Sequence, residues 1–304
     1  MNTSAVLPKG VSLDHLLTQL RFLSWGAADI LIAYARGDIP PYGFSPVLEV
    51  ENASVDPVSA ADLAVNSWFL DGFKNKYEFV NWEILSEEMT KGDMENNYLS
   101  ASDWLWILDP LDGTKDFLAG TGEYAVQLAL VYKNRPVLGL LLLPEVEELW
   151  FGVIGHETWC ENRKGEKKSS NLSKRDPLFE GILIASRNHR DNNLEELIKR
   201  LPIKESKVVG SVGCKIAKIL RGEADLYISL SGATSPKDWD MASPEAVLLA
   251  AGGSFTHADG ENLLYNNGDL LQSGCLVATN GKNHSEICRI ILKEINLIDP
   301  EFIA

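Results

Sequence analysis

No apolar run in the 304 residues approaches the roughly 18–20 residues of a membrane-spanning helix. The strongest, Val137 to Leu143, is strand-sized. Met1 to Gly10 lacks the apolar core of a secretory signal. Cysteine is scarce: Cys160, Cys214, Cys275 and Cys288 are scattered, with no CxxC pair. That pattern predicts buried free thiols in a reducing cytoplasm and argues against a disulfide scaffold. Cationic charge is short too. Lys plus Arg number 28 against 43 Asp plus Glu, a formal net charge of −15. Such a chain lacks the surplus that releases counterions from nucleic-acid phosphates, so neither nucleic acid nor a membrane is an expected partner. GxxxxGK[ST] and GxGxxG are missing. His156-Glu157 has no second His at zinc-helix spacing, and Val209 to Gly213 misses the nucleophile-elbow pattern by its first Gly. A P-loop enzyme, a zinc protease and a serine hydrolase are disfavoured accordingly.

What remains is ordinary globular composition, 45% hydrophobic and 23% charged. Leu13, Leu16, Leu17, Leu20, Leu23, Ala27, Leu31 and Tyr34 recur at spacings of three and four, which predicts a helix from Ser12 to Arg36 with Gly37 as its stop. Residues 38–56 read as a long loop, and Ser59 to Lys74 as a second helix. Strands are expected at Trp104 to Asp109, Ala125 to Tyr132, Pro136 to Leu143 and Glu148 to Val153, with hairpin breaks at Lys133-Asn134 and Pro144-Glu145. The polar stretch Asn162 to Asp176 is the expected divide between an α+β half (about 1–165) and an α/β half (about 175–304). Beyond it strands and helices alternate. The predicted helices are Asn193–Arg200, Ser211–Arg221, Ala242–Ala251 and His284–Ile295.

Chemistry concentrates at Asp109-Pro110-Leu111-Asp112-Gly113-Thr114. An apolar strand delivers Asp109 to its carboxyl end. Pro110 is expected to turn the chain sharply and bring Asp112 back beside Asp109. Gly113 lets the backbone approach an oxyanion, with the next N–H groups forming an anion nest. Two carboxylates held so close repel, and without a cation one takes up a proton. Oxygen-rich clusters of this kind suit Mg²⁺. Each acidic neighbour has a plain explanation alone. Glu87-Glu88 reads as a solvated loop, Asp240 as an N-cap, and Asp62 as a first-turn carboxylate favoured by the helix dipole.

Together these blocks resemble the inositol monophosphatase superfamily of metal-dependent, lithium-sensitive phosphatases. The match is carried by Asp109 to Phe117, Leu85-Ser-Glu-Glu88, Trp239-Asp240 with Ala242 and Ala250 to Gly253, and Asp56 to Asp62, which is similar to the family's SPVTxAD element. Asp56 to Asp62 and Ser186-Arg-Asn-His189 look most like the 3′(2′),5′-bisphosphate nucleotidases of the CysQ type. Those enzymes remove the 3′-phosphate of 3′-phosphoadenosine 5′-phosphate, a by-product of sulfate activation and sulfotransfer. Inositol and sugar phosphates are the alternative substrates. The resemblance implies a layered αβαβα sandwich over residues 1–304 and two or three Mg²⁺ ions. It assigns Glu87, Asp109, Asp112 and Asp240, with the Leu111 carbonyl, as metal ligands. Asp62 and Thr114 become the catalytic, water-positioning pair. Substrate contacts fall to Glu87, Leu111, Asp112, Gly113, Thr114, Ser211, Lys215 and Asp240. A small phosphorylated substrate follows, and a homodimer is compatible. The chain departs from the family at Asn52, where a Lys is usual, at Asp56 for Ser, and at Ser59 for Thr.

Overall fold

The apolar alternation of residues 104–153 folds into the centre of a seven-stranded sheet. Its elements, and those around it, are described from a computed structural model covering residues 6–51, 57–74, 77, 79–90, 99–231 and 234–302. Helix α1 (Leu13–Arg36) ends at Gly37 in the left-handed region. Strands β1 (Val50–Glu51) and β2 (Val58–Ser59) pair antiparallel and lead into α2 (Ala60–Lys74). Residues 38–51 thus carry a short strand where a loop was expected, while Asn52 and Asp56 lie outside the described residues. Strand β3 (Glu83–Ser86) runs straight into the short helix α3 (Glu87–Thr90), so Glu87 and Glu88 open a helix instead of a loop. Then follow β4 (Trp104–Asp112), α4 (Thr114–Leu118), β5 (Ala125–Tyr132), β6 (Arg135–Leu143), β7 (Glu148–Val153), β8 (Thr158–Glu161) and β9 (Lys167–Ser169). The sheet order is β3-β4-β5-β6-β7-β8-β9, with only β3–β4 parallel. Lys133 and Asn134 both have positive φ, 48° and 66°, the two-residue geometry that matches strand twist. Strand β9 lies inside the polar stretch expected as a divide; its short exposed sequence carries no apolar signal.

The second half supplies β10 (Ile182–Ser186), α5 (Asn192–Arg200), β11 (Glu205–Val209), α6 (Val212–Leu220), β12 (Leu226–Leu230), α7 (Asp238–Ala250), β13 (Ser254–His257), β14 (Cys275–Thr279) and α8 (His284–Ile298). Its five-stranded mixed sheet runs β11-β10-β12-β14-β13. Helix α7 begins four residues earlier than expected. The expected start at Ala242 went with reading Asp240 as the N-cap. Instead Asp240 sits in the first turn and its Oδ2 accepts the Lys237 backbone N–H at 2.6 Å. It is therefore not the N-cap.

Three buried clusters define five layers. Leu16, Leu20, Phe69 and Trp106 are among those packing α1 and α2 on one face of the large sheet. Leu105, Ile107, Ile216, Met241, Val247 and Leu276 belong to a core holding α6 and α7 between the two sheets. Leu183, Leu197, Val277 and Ile291 help pack α5 and α8 on the outer face. This is the expected αβαβα sandwich. Close approach of α7 requires glycine: a Cβ at Gly152 would lie 2.4 Å from the Val247 Cα. Helix α1 has the length and composition to cross a membrane, but 61% of its most apolar stretch is buried inside this fold. All four cysteines are buried free thiols, as expected.

Candidate active site

Residues 109 and 112 would point to opposite faces of a regular strand, since side chains alternate. Strand β4 does not turn at Pro110, as expected, but continues to Asp112 through a register shift. Asp109 faces Gln127 and Asp112 faces Ala125, so three steps on β4 answer two on β5. One extra residue resets the alternation, and both carboxylates face the inter-sheet layer. Gly113 follows at φ 92°, where a Cβ would meet the Glu123 carbonyl at 3.0 Å and the Ser211 Cβ at 3.2 Å. Glycine is needed there for both conformation and space.

Asp240, from α7, completes the group: ligand oxygens of Asp109, Asp112 and Asp240 all lie within 4.8 Å of one another. Glu87 lines the same cavity of about 360 Å³, with Leu111, Thr114, Ser211, Lys215 and Tyr227. Burial first, then the charges of Glu87, Asp112 and Asp240, pushes the Asp109 carboxyl well above the usual range. Asp240 is pushed up to about 7 by burial and by Asp112 and Glu87. Asp112 is raised by burial, offset in part by Lys215, the Ser211 hydroxyl and the Gly213 N–H. Hard oxygens crowded until they resist ionisation are a donor set that fits a hard divalent cation. Among the described residues this is the one such cluster.

Asp62 approaches from α2 and is fully buried. Its Oδ2 accepts the Ser59 N–H at 2.8 Å and hydroxyl at 2.6 Å, so Ser59 makes the contact its γ-oxygen allows without the family's methyl. Asp62 Oδ1 lies 3.1 Å from the Thr114 hydroxyl, which also sits 3.0 Å from the Leu111 carbonyl. The Ser86 hydroxyl donates to Asn66 Oδ1 at 2.7 Å, tying the end of β3 to α2.

The second half grips the same loop. The Ser211 hydroxyl donates to Asp112 Oδ2, and the Gly213 N–H donates to the same oxygen at 2.8 Å. Ser211 also caps α6 by accepting the Cys214 N–H at 3.1 Å. The Lys215 ammonium lies 5.3 Å from the Tyr227 ring centroid. Burial lowers its pKa, opposed first by Asp112. One network joins two segments that the sequence reading treated separately. Buried Asp116 accepts from Arg187, and from the Asn188 amide at 2.9 Å. Glu123 accepts the other Arg187 nitrogen at 2.6 Å and the Gly210 N–H at 2.8 Å. Arg187, within the segment that looks CysQ-like in the sequence, has both terminal nitrogens engaged with carboxylates. The acidic run Asp112–Asp116 was visible in the sequence; its pairing with residues about seventy positions away was not. A second cavity, about 530 Å³, lies between α1 and the β7–β9 edge and contains none of these carboxylates.

A sequence model of the inositol monophosphatase family matches residues 17–296. The chain belongs to that family. Among its inositol monophosphatase relatives, the 3′(2′),5′-bisphosphate nucleotidase CysQ of Escherichia coli K12 is 31% identical over 223 residues, covering 73% of this chain and 85% of that protein. CysQ of Haemophilus influenzae is 29% identical over 265 residues, covering 85% and 90%. These relatives are phosphatases by name. The solved CysQ from Bacteroides thetaiotaomicron shares the fold at TM-score 0.69 and 24% identity, covering 89% of this chain and 99% of that one. The suhB protein of Bartonella henselae does so at TM-score 0.73 and 20% identity, covering 92% and 99%.

Proposed function

We propose that the chain is a Mg²⁺-dependent phosphomonoesterase that removes the 3′-phosphate of 3′-phosphoadenosine 5′-phosphate and, by the same chemistry, of its phosphosulfate. The observation that carries this reading is the convergence of Asp109, Asp112 and Asp240 beside the Asp62–Thr114 hydrogen bond. The nucleotide preference draws its support from the CysQ relatives. Glu87, Asp109, Asp112, Asp240 and the Leu111 carbonyl would hold two or three Mg²⁺ ions. Bound there, Mg²⁺ neutralises phosphate oxygens and makes water more acidic.

The chain's own groups do the rest. Thr114 orients the attacking water, taking its proton as the hydroxyl proton passes to Asp62. The two Ser59 hydrogen bonds hold Asp62 in place for that transfer. The Gly113 and Thr114 N–H groups cradle the phosphate. Ser211 acts on the substrate through Asp112, and Lys215 places positive charge at the cavity floor. Residues 1–304 act as one domain, since the inter-sheet core draws on both halves. The buried free thiols suit a reducing compartment, and we place the enzyme in the cytoplasm.

A substrate panel with Mg²⁺ tests the reading. Phosphate release is expected to be fastest from the bisphosphate nucleotide, to fail in chelator and to fall in Li⁺. Faster turnover of inositol 1-phosphate or a sugar bisphosphate would move the chain to the other branch of its family. No release from any phosphomonoester would end the reading.

A further inference from the structure

Strand register places one more polar group at the acidic cluster. Gln127 is paired directly across from Asp109, and directly opposed side chains share a face with Cβ atoms about 4.5–5.5 Å apart. Gln127 is fully buried, and its strand neighbours Ala129 and Val131 line the same inter-sheet core as Leu105 and Ile107 of β4. Yet among the described residues neither its amide nitrogen nor its amide oxygen has a hydrogen-bond partner. An unpaired buried carboxamide is costly, and leucine would fill the space without that cost. Among the described residues Asp109 meanwhile has one carboxylate oxygen engaged, Oδ1, which accepts the Leu111 N–H at 2.9 Å.

We propose that Gln127 is a positioning residue for Asp109: its carboxamide N–H donates to the Asp109 carboxylate when a divalent cation is bound and orients that carboxylate toward the cation. The inference rests on the reading of the cluster as a Mg²⁺ site. It explains why a polar group is retained where the resting protein leaves it unpaired. Outer partners of metal-bound carboxylates commonly change affinity by about 10–100-fold.

The test is the unfolding temperature of Gln127→Leu, titrated with Mg²⁺ alone. Without Mg²⁺ the variant is expected to melt about 2–4 °C above wild type, because a stranded amide is gone. The Mg²⁺ concentration for half-maximal stabilisation is expected to rise about tenfold. Gln127→Asn keeps a carboxamide one methylene shorter and should recover part of the response. A Gln127→Leu response within twofold of wild type would overturn the proposal, leaving Gln127 a cost without a purpose. So would a fall in the Mg²⁺-free melting temperature, since the amide would then be partnered in the resting protein. If wild type itself shows no Mg²⁺-induced rise, the metal site fails, and that outcome is visible before any variant is compared.

Discussion

The loop from Asp109 to Asp116 and the wall from Ser186 to His189 reach the same cavity by different means. The first is built into β4 and α4. Its carboxylates are set by strand register, one bulge and one obligatory glycine, and Asp109 is 1% exposed. The second leaves the end of β10 as exposed chain, held by side-chain bonds from Arg187 and Asn188 to Asp116 and Glu123. Backbone ladders tolerate little displacement, whereas partly exposed ion pairs are weaker and can re-form. We therefore expect chemistry to depend on the loop and substrate preference to depend on the wall.

Asp112→Asn should break the loop most severely. It removes a carboxylate charge at the point where Ser211 and Gly213 donate, and phosphate release should fall on the order of a thousandfold. Activity within tenfold of wild type would show that the cluster is not the catalytic centre. Thr114→Val deletes the hydroxyl beside Asp62 with little change in volume. Its kcat should fall about a hundredfold with KM nearly constant. A change confined to KM would assign Thr114 to binding alone.

Arg187→Ala sharpens the comparison from the other side. With Asp116 and Glu123 released, KM for the bisphosphate nucleotide should rise about tenfold, while a small aryl phosphate is turned over nearly as before. Equal losses on both substrates would mean that the wall also supports the loop.

The smallest effect concerns the seam between the halves. Glu245 on α7 accepts from Arg135 of β6 and from the Tyr265 hydroxyl at 2.7 Å. Burial pushes its carboxyl up to about 7, with Arg135 and Tyr265 offsetting part of the rise. A folded pKa above the unfolded value of about 4.3 means that the native state binds more protons between those limits. Stability from this group is therefore fully present below about pH 4.3 and is lost as pH rises through about 7. Relative to Glu245→Gln, wild type should lose stability in urea unfolding as pH rises across that window. A difference that is flat with pH would show that Glu245 stays ionised at the seam.

Much of this was readable from the chain. The periodicity of α1, the strands 125–132 and 148–153, and the run Asp109 to Thr114 are local patterns, and local patterns survive without tertiary context. The misses were of two kinds. Strands β8, β9 and β13 span three or four residues, too few for alternation to register. Pro110 and Asp240 were given their commonest local meanings, a sharp turn and an N-cap. In the fold one sits within a bulged strand and the other in the first turn of a helix that starts earlier, where pairing and packing outweigh local preference.

Amino-acid order alone settled the donor chemistry: hard oxygens, a threonine hydroxyl, an obligatory glycine, and too few cations to neutralise them. Only tertiary structure decided which donors meet. Asp62, Asp112 and Asp240 come from three elements up to 178 positions apart. Side-chain direction depends on register, and register on the partner strand. That is why the bulge turning Asp112 toward Asp109, the Arg187 clamp and the stranded amide of Gln127 became visible only in the folded chain.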